Sequence, residues 1–446
     1  MSLLENRLMK DRQMQEDAEA KVEGLAAIRP TAEEHQKVDT IINSVSQQFS
    51  SRIAEEGITP GIRTEITAQV EKEVQTVSVD YEERSRIRKL VLTSMFGLGP
   101  LEPYMQPSST ATDIIVHRYD HICIEDHRGV RRIAAEFNSE THLRNVIQRI
   151  VQQVGRQINL TSPAVDAKLP DGSRIHATLP PITPDGATLT IRRFNTQKLE
   201  PEDYLRLGTM NEAMLDFLCC AVTGKLSLLV SGGTGSGKTT LLNMLSGFIP
   251  EHELIVTIED NCELQLRQPN VRRMEARPAT GDFGAIDIQE LVRHSLRMRP
   301  DRIIVGEVRD GSVVDMLSAM STGHEGSMST IHADSPRALV DSRLPTLFSQ
   351  YQGGALSRET QTYMTAEAVQ LIIQIAREPD HSRRVTHITA VDGLDGNGIH
   401  LIDLFRYDRR SSVFTQVGTL PQSILQRLEN QNVSLPISFR KGHDHP

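Results

Sequence analysis

Tryptophan is absent from this chain of 446 residues, aromatic residues make up only 4%, and cysteine occurs four times. No two cysteines form a CxxC pair, so the sequence indicates neither a zinc ribbon nor a disulfide framework. No window approaches the run of about 18 apolar residues that a membrane-spanning helix needs. The first residues also lack the apolar segment of a signal peptide. These absences predict a protein of the reducing cytoplasm.

Positive charge is in the minority, since 49 lysines and arginines face 58 aspartates and glutamates, for a net charge of −9. Proteins that bind nucleic acids mainly through phosphates need clustered lysine and arginine, so this balance argues against that class. The hydrophobic fraction of 38% is ordinary for a folded protein. At about 150 residues per domain, the length suggests about three compact units.

The N-terminal part of the chain reads as helices followed by a small mixed domain. Apolar residues at helical spacing predict a helical N-terminal region over residues 1–80 and a further helix from about Tyr81. From about residue 110, short strand-like segments and one amphipathic helix predict an α+β domain over residues 81–195. The polar stretch that follows predicts a linker over residues 196–208.

Beyond the linker, strand-like and helix-like segments alternate. Strands are predicted over residues 226–231, 254–258, 302–306 and 327–331, each separated from the next by a helical pattern. Alternation of this kind is typical of a mostly parallel sheet covered by helices. Residues 209–446 are therefore predicted to form an α/β domain, whose first helix begins at a capping box from Thr209 to Glu212.

A glycine-rich segment carries the most specific chemistry, because it fits the pattern GxxxxGK[ST] between a predicted strand and a predicted helix. Its residues are Gly232, Gly233, Thr234, Gly235, Ser236, Gly237, Lys238, Thr239 and Thr240. Glycines let backbone N–H groups surround phosphate oxygens at a helix N-terminus. Lys238 would reach the β- and γ-phosphates, and the Thr239 hydroxyl would bind Mg²⁺. The sequence therefore predicts binding of ATP or GTP.

Acidic residues follow two of the predicted strands. Glu259 follows the strand 254–258, and Glu307 follows the strand 302–306. In a parallel α/β sheet the ligand lies at the carboxyl ends of the strands. Glu307 stands where a Walker B acid would, with Gly306 in place of the usual aspartate, and would hold the Mg²⁺ shell through water or orient the attacking water. Glu259, with Asp260 beside it, would supply the second acid.

Two histidines flank another predicted strand. His324 precedes the strand 327–331 and His332 follows it. We expect both at the nucleotide end of the sheet, as sensors of the γ-phosphate. Metal ligation is disfavoured, because the cysteine and paired-carboxylate neighbours of a zinc site are missing.

Four segments in order resemble the boxes of a known family. GGTGSGKTT (232–240), TIEDNCEL (257–264), LRMRPDRIIVGEVRDG (296–311) and TGHEGSMSTIHAD (322–334) resemble the Walker A, Asp, Walker B and His boxes of the type II/IV secretion ATPases. Upstream, PAVDAKLPDGSRIHATLPP and TLTIRRF resemble that family's N-terminal domain and linker strand. The strongest resemblance is to the tight-adherence (Flp) pilus assembly branch (CpaF/TadA-like). The tetracysteine insert of the type II secretion and type IVa pilus branches is absent, which supports that assignment.

The resemblance implies a RecA-like P-loop ATPase domain preceded by a small α+β domain, assembled as a homo-hexamer with ATP and Mg²⁺ as cofactors. The implied partner is an inner-membrane platform protein, through which the motor adds or removes pilin subunits. The chain would then lie on the cytoplasmic side of the inner membrane and would not act on nucleic acid.

The resemblance also implies roles for individual side chains. His324 and His332 would form the His-box pair, and Glu259 and Glu307 would position water and Mg²⁺. Three arginines of the N-terminal domain would contact the phosphates, where guanidinium groups stabilise transition-state charge. These are Arg174, Arg192 and Arg193.

The sequence departs from the family pattern at two places, and two alternative functions stay open. The usual Asn-Gly turn after Val116 reads His-Arg-Tyr-Asp, and the Walker B acid is followed by Val-Arg-Asp-Gly where the branch usually has consecutive glycines. RecA-like rings also serve as nucleic-acid translocases, including conjugation-type secretion ATPases. A nucleotide-dependent scaffold that does not hydrolyse ATP is the second alternative.

Overall fold

The computed structural model describes residues 31–56, 59–126, 128–194, 198–277, 279, 284–396, 398–436 and 439. They divide into two compact units, with the boundary between residues 195 and 196. The helical character predicted for residues 1–30 lies outside the described residues.

A bundle of three helices opens the first unit. Its helices are α1 (Ala32–Glu56), α2 (Pro60–Val77) and α3 (Tyr81–Phe96). Side chains cap all three: Thr31 and Glu34 form a capping box, and Thr59 and Asp80 cap the next two helices. One apolar stripe from each helix is buried in a shared core. Because α3 belongs to this bundle, the predicted boundary at residue 80 differs from the observed packing.

The rest of the first unit is an α+β arrangement, as predicted. Its elements are a 3₁₀ turn (Gly99–Leu101), α4 (Glu102–Met105), β1 (Asp113–Arg118), β2 (His121–Asp126), β3 (Gly129–Arg132), α5 (Glu140–Gln153), β4 (Ala164–Lys168), β5 (Arg174–Thr178) and β6 (Thr188–Arg192). The strands form one antiparallel sheet in the order β3-β2-β1-β6-β5-β4. The apolar face of α5 packs in the same core as the inward-facing residues of this sheet.

The second unit begins with two helices, α6 (Pro201–Arg206) and α7 (Glu212–Thr223). The segment predicted as a polar linker contains α6, which has a capping box between Glu200 and Asp203 and buries Tyr204. The predicted capping box at Thr209 is wrong in detail, because the side chain of Asn211 caps α7 by accepting the N–H of Met214.

A nine-stranded sheet forms the body of the second unit. The remaining elements are β7 (Leu228–Ser231), α8 (Lys238–Ser246), β8 (Ile255–Glu259), β9 (Val271–Glu275), α9 (Ile288–Ser295), β10 (Arg302–Val308), α10 (Ser312–Ser321), β11 (Met328–Ile331), α11 (Pro336–Ala338), a π-helix (Leu339–Arg343), α12 (Leu344–Phe348), α13 (Arg358–Ala368), β12 (Leu371–Arg377), β13 (Arg383–Asp395), β14 (Gly398–Asp408), β15 (Val413–Gln416) and α14 (Gln422–Asn430). The strand order is β15-β14-β13-β12-β7-β11-β10-β8-β9. The six strands from β12 to β9 in this order run parallel. The other three, β13, β14 and β15, continue the sheet by antiparallel pairing.

Successive residues of the central strands enter two different cores. Leu228 and Val230 of β7 lie in one apolar cluster, while Leu229 lies in the other. This alternation places helices and apolar side chains on both faces of the sheet. The predicted α/β fold class of the second unit is therefore confirmed, and strands 254–258, 302–306 and 327–331 lie within one or two residues of their predicted bounds.

Within the described part of the chain, no helix combines the length and the apolar character needed to cross a membrane.

Candidate nucleotide-binding site

The glycine-rich segment forms a loop between β7 and α8 at the carboxyl edge of the sheet. Gly235 and Gly237 adopt φ values of 69° and 93°, which residues with a Cβ atom rarely adopt. A Cβ atom at Gly232 would lie 2.2 Å from the carbonyl oxygen of Ile375 on β12. The N-cap of α8 is Gly237, which leaves the first N–H groups of that helix without a side-chain cap. This loop can therefore hold an anion with backbone N–H groups.

Lys238 turns its ammonium group back over the loop. Its Nζ donates to the carbonyl oxygens of Gly232 and Gly233 at 3.0 and 2.9 Å. The buried Ser236 hydroxyl also donates to Gly233, at 2.9 Å. Thr239 is half-buried, and Thr234 and Thr240 are exposed. The ammonium group of Lys238 thus already lies in the loop that phosphates would enter.

Strand register brings three more predicted residues to this edge. Ser231 at the end of β7 pairs with Ile331 of β11, and Val305 of β10 pairs with Ile258 of β8. Residues that follow these strands, or lie near their carboxyl ends, therefore share the edge that carries the glycine-rich loop. These residues are Glu259, Glu307 and His332.

Glu259 is a buried carboxylate with one oxygen unused. The residue is 3% exposed, and its Oε1 accepts the backbone N–H groups of Glu263 and Leu264 at 2.8 and 2.9 Å. Its Oε2 has no hydrogen-bond partner among the described residues, and neither has the Thr257 hydroxyl two residues earlier on the same strand. Burial raises the pKa of the Glu259 carboxyl, and the two N–H donors offset part of that rise. A buried carboxylate oxygen of this kind is suited to a bound water or cation.

Gly306 makes room for this carboxylate. A Cβ atom at position 306 would lie 2.9 Å from Glu259 Cγ, so any larger residue would displace the Glu259 side chain. By its place in the Walker B segment, Gly306 is only a replacement for the usual aspartate. The parallel pairing of β8 with β10 shows instead that the glycine and the glutamate form one feature.

Glu307 is tied to a neighbouring arginine that sequence reasoning left without a role. Arg309 donates from Nη2 to Glu307 Oε2 at 2.7 Å, and its Nη1 lies 3.4 Å from Asp260 Oδ2. The Glu307 carboxylate beside it raises the pKa of Arg309. One guanidinium therefore links acids at the carboxyl ends of two neighbouring strands. Its signal in the sequence was its position two residues after the Walker B acid.

The structure separates the two histidines. His332 directly follows β11 at the loop edge, whereas His324 precedes β11. A strand of four residues spans about 13 Å at 3.3 Å per residue. His324 lies 3.3 Å through Nδ1 from the carbonyl oxygen of Ala319. Within one chain, therefore, His332 lies at the nucleotide end of the sheet and His324 does not, contrary to the expectation for His324.

The three arginines predicted to contact phosphates differ in their surroundings within the first unit. Arg174 and Arg192 lie opposite each other on β5 and β6. Arg193 instead donates to carbonyl oxygens of its own unit, with Ser109 at 2.8 Å and Ala111 at 2.7 Å, and burial lowers its pKa. Arg193 thus ties the end of β6 to the segment that precedes β1.

Residues 95–426 match the family described as Type II/IV secretion system protein. The chain belongs to this family. The match spans all four boxes and the mixed part of the first unit, and it leaves α1 and α2 outside.

Relatives and solved structures of secretion systems are similar to the chain. A Mycobacterium tuberculosis (strain H37Rv) protein, provisionally named as a conjugal transfer protein, is 35% identical over 331 residues, which cover 73% of this chain and 92% of that protein. The type IV secretion system protein PtlH of Bordetella pertussis is 32% identical over 326 residues, which cover 67% of this chain and 95% of PtlH. The crystal structure of the VirB11 ATPase from the Brucella suis type IV secretion system, in complex with sulphate, is 26% identical with a TM-score of 0.36 and covers 67% of this chain and 97% of that one.

The donor set at the sheet edge fits a magnesium ion. Mg²⁺ prefers oxygen ligands and retains several waters. The edge offers a threonine hydroxyl at Thr239 and carboxylates at Glu259 and Glu307, one of which has a buried oxygen without a described partner. For a member of the secretion family, this edge is the candidate site for a nucleotide and its Mg²⁺.

Proposed function

We propose that this chain is the ATP-hydrolysing motor of a type II/IV secretion or pilus assembly machine. The observation that carries the proposal is the convergence of the P-loop with Glu259 and Glu307 at one edge of the parallel sheet. A loop of backbone N–H donors binds phosphates. Two carboxylates at the same edge can hold Mg²⁺ and orient the attacking water, which hydrolysis also requires.

The chain's own residues divide the chemistry among them. Lys238 would move from its two carbonyl acceptors to the β- and γ-phosphate oxygens, and the first N–H groups of α8 would complete the phosphate cradle. Thr239 and Glu307 would hold Mg²⁺, Glu307 through water. Bound Mg²⁺ supplies charge neutralisation at the phosphates.

Glu259 would orient the attacking water with its buried Oε2, while the N–H groups of Glu263 and Leu264 hold its other oxygen. His332 would lie beside the γ-phosphate. Arg174 and Arg192 would contribute positive charge in the transition state.

The finer assignment is a hexameric motor of the tight-adherence (Flp) type that acts on pilin through an inner-membrane platform protein. Its support is the resemblance of the four boxes and the absence of any CxxC pair. A conjugation-type or type IV secretion motor is the second candidate, because the similar proteins named above carry those descriptions. Deleting the gene distinguishes the two: loss of surface pili supports the first, and loss of DNA or protein transfer with pili intact supports the second.

Phosphate release by the purified protein tests the enzymatic activity. The variants Lys238→Ala and Glu307→Ala should each lower ATP turnover at least about 100-fold, since each removes a group that acts directly on the phosphates or their Mg²⁺. Glu359→Gln changes an exposed acid at the start of α13 and serves as the matched control. Unchanged turnover in both site variants would overturn the proposal, and nucleotide binding without phosphate release in the wild type would favour the scaffold alternative.

A further inference from the structure

A buried glutamine on β12 reaches past the strand that leads into the P-loop. Gln374 pairs with Ser231 on β7, and Ser231 pairs in turn with Ile331 on β11. The Gln374 Nε2 donates to the carbonyl oxygen of Ala333 at 3.1 Å. Because β7 lies between β12 and β11 in the sheet, the side chain passes the end of β7 to make this contact. Gln374 therefore bonds to the segment that directly follows β11.

The contact between Gln374 and Ala333 is enclosed by the protein. Gln374 is 4% exposed and Ala333 is 7% exposed. The fully buried Ser231 hydroxyl donates to the same Ala333 carbonyl at 3.5 Å. On the neighbouring strand β13, the buried Thr386 hydroxyl donates to the Gln374 carbonyl at 3.3 Å. Both the backbone and the side chain of Gln374 are thus held in place.

The orientation of the Gln374 amide follows from its partner. A carbonyl oxygen can only accept, so the NH₂ group faces Ala333 and Oε1 faces away from it. This Oε1 is buried and has no hydrogen-bond partner among the described residues. Buried acceptors in native proteins are normally satisfied, by protein groups or by bound water. Gln374 therefore combines one fixed hydrogen bond with one acceptor that suits a donor at the nucleotide edge.

Both ends of this bridge adjoin residues of the candidate site. Ala333 directly follows His332, which lies at the nucleotide end of the sheet. Ile375, the residue after Gln374, carries the carbonyl oxygen that restricts position 232 of the P-loop to glycine. The register of β12 with β13 shifts between Gln374 and Ile375, and such irregularities often re-aim side chains beside active sites. The bridge therefore joins the strand that supports the P-loop to the segment that carries His332.

We propose that Gln374 is a positioning residue for the γ-phosphate end of the nucleotide site. Gln374 holds the Ala333 carbonyl and so fixes the backbone beside His332, whose imidazole then lies within reach of the γ-phosphate. Gln374 itself touches neither the phosphates nor Mg²⁺. The inference rests on the proposed function, because it explains how His332 is held in that same site. Its consequence is a preference for triphosphate over diphosphate that depends on the glutamine.

Isothermal titration of the full chain with two probes tests this role. One probe is ADP with Mg²⁺, and the other is adenylyl imidodiphosphate with Mg²⁺, which carries the additional phosphoryl group. Gln374→Met keeps the length of the side chain and removes its hydrogen bonds. The Kd for adenylyl imidodiphosphate should rise about tenfold, the effect of losing about one hydrogen bond, while the Kd for ADP stays unchanged. Gln374→Asn keeps the amide but is one methylene shorter, and should show the same loss, so the result does not depend on one variant folding.

Gln370 supplies the matched control, because it is a buried glutamine just before the opposite end of β12. Its Nε2 donates to the Glu367 carbonyl at 3.1 Å, and its Oε1 accepts the N–H of Ser227 at 3.0 Å. Gln370→Met should lower the free energy of unfolding and leave the ratio of the two Kd values unchanged. If Gln374→Met shows this same pattern, Gln374 is merely structural and the inference is overturned.

Coupling between Gln374 and His332 is the decisive measurement. His332→Ala should lower the preference for the triphosphate, and adding Gln374→Met to that variant should change the preference no further. Additive losses, or an unchanged preference in His332→Ala, would show that Gln374 does not act through His332. Failure of the proposed function has a different signature, because the wild type would then bind neither probe and Lys238→Ala would have no effect.

Discussion

At the scale of single residues, the site depends on pairs that lie far apart in the chain. Gly306 and Glu259 are such a pair, since the missing side chain of one creates the space for the other. Arg309 likewise links Glu307 with Asp260 across neighbouring strand ends. The sequence marks Glu259 and Glu307 as candidates, but it shows neither of these contacts.

Gly306→Ala should therefore damage catalysis without damaging nucleotide binding. The added Cβ atom would lie 2.9 Å from Glu259 Cγ and shift the carboxylate, and misplacement by about 1 Å can cost about 100-fold in rate. The measurement is kcat for phosphate release, with nucleotide Kd as the second readout. Gly284→Ala is the control, because a Cβ atom there meets no atom within 4 Å. A normal kcat in Gly306→Ala would show that Glu259 has no catalytic role.

The raised pKa of Glu259 gives a stability prediction with a definite sign. The folded state binds this proton more tightly than the unfolded state, so the contribution of Glu259 to stability is largest at low pH and is lost as pH rises through the folded-state pKa. Glu259→Gln keeps an acceptor for the two N–H groups and cannot ionise. The variant should match the wild type near pH 4.5 and exceed it at pH 8.

Denaturant unfolding without nucleotide and metal, at both pH values, checks this sign. Glu325→Gln alters an exposed glutamate in the same unit and should show no such divergence. A Glu259→Gln variant that loses stability as pH rises, relative to the wild type, would contradict the burial argument.

At the scale of secondary-structure elements, one buried ion pair fastens the amino edge of the parallel sheet. Arg302 at the start of β10 is fully buried, and its guanidinium donates to both carboxylate oxygens of Glu253 and to the Val222 carbonyl at the end of α7. The pair holds β10, the segment before β8 and α7 together. It lies at the edge opposite the P-loop, away from the proposed chemistry.

Arg302→Ala should destabilise the second unit by about 3 kcal/mol, at the low end for a broken buried pair, because the buried Glu253 carboxylate then keeps only Lys225, at 3.8 Å. Arg293→Ala breaks a pair with Asp315 whose arginine side chain is 53% exposed, and should cost much less stability than Arg302→Ala. Chemical denaturation of both variants gives the comparison. Equal losses in the free energy of unfolding would mean that burial does not set the strength of these ion pairs.

At the scale of the whole molecule, the chain combines a helical bundle and an α+β sheet in one unit with a P-loop sheet in the other. The family match begins at residue 95, after the first two helices. The bundle therefore lies outside the matched residues, except for the last two residues of α3.

We predict that the whole chain assembles as a hexamer. Single-particle imaging of the full chain with Mg²⁺ and a non-hydrolysable ATP analogue should show rings of six. Lys238→Ala, which weakens phosphate binding, should shift the population toward smaller species if nucleotide supports assembly. Monomers alone in the presence of saturating nucleotide would contradict the ring.

The sequence by itself determined the fold class of the second unit, the P-loop and the strand ends that carry Glu259 and Glu307. These features are local: apolar periodicity, glycines that permit positive φ, and acids directly after strands depend on neighbours in the chain. The α+β character of the first unit was readable for the same reason.

Only the tertiary structure decided the rest, because strand order and register determine which distant residues meet. It separated His324 from His332 by the length of β11, placed Gly306 against Glu259, and brought the turn after β12 beside the P-loop. It also merged α3 into the N-terminal bundle. The shortage of cysteine argued against a zinc ribbon and a disulfide framework, but the positions of a few charged side chains at one sheet edge are what support the proposed chemistry.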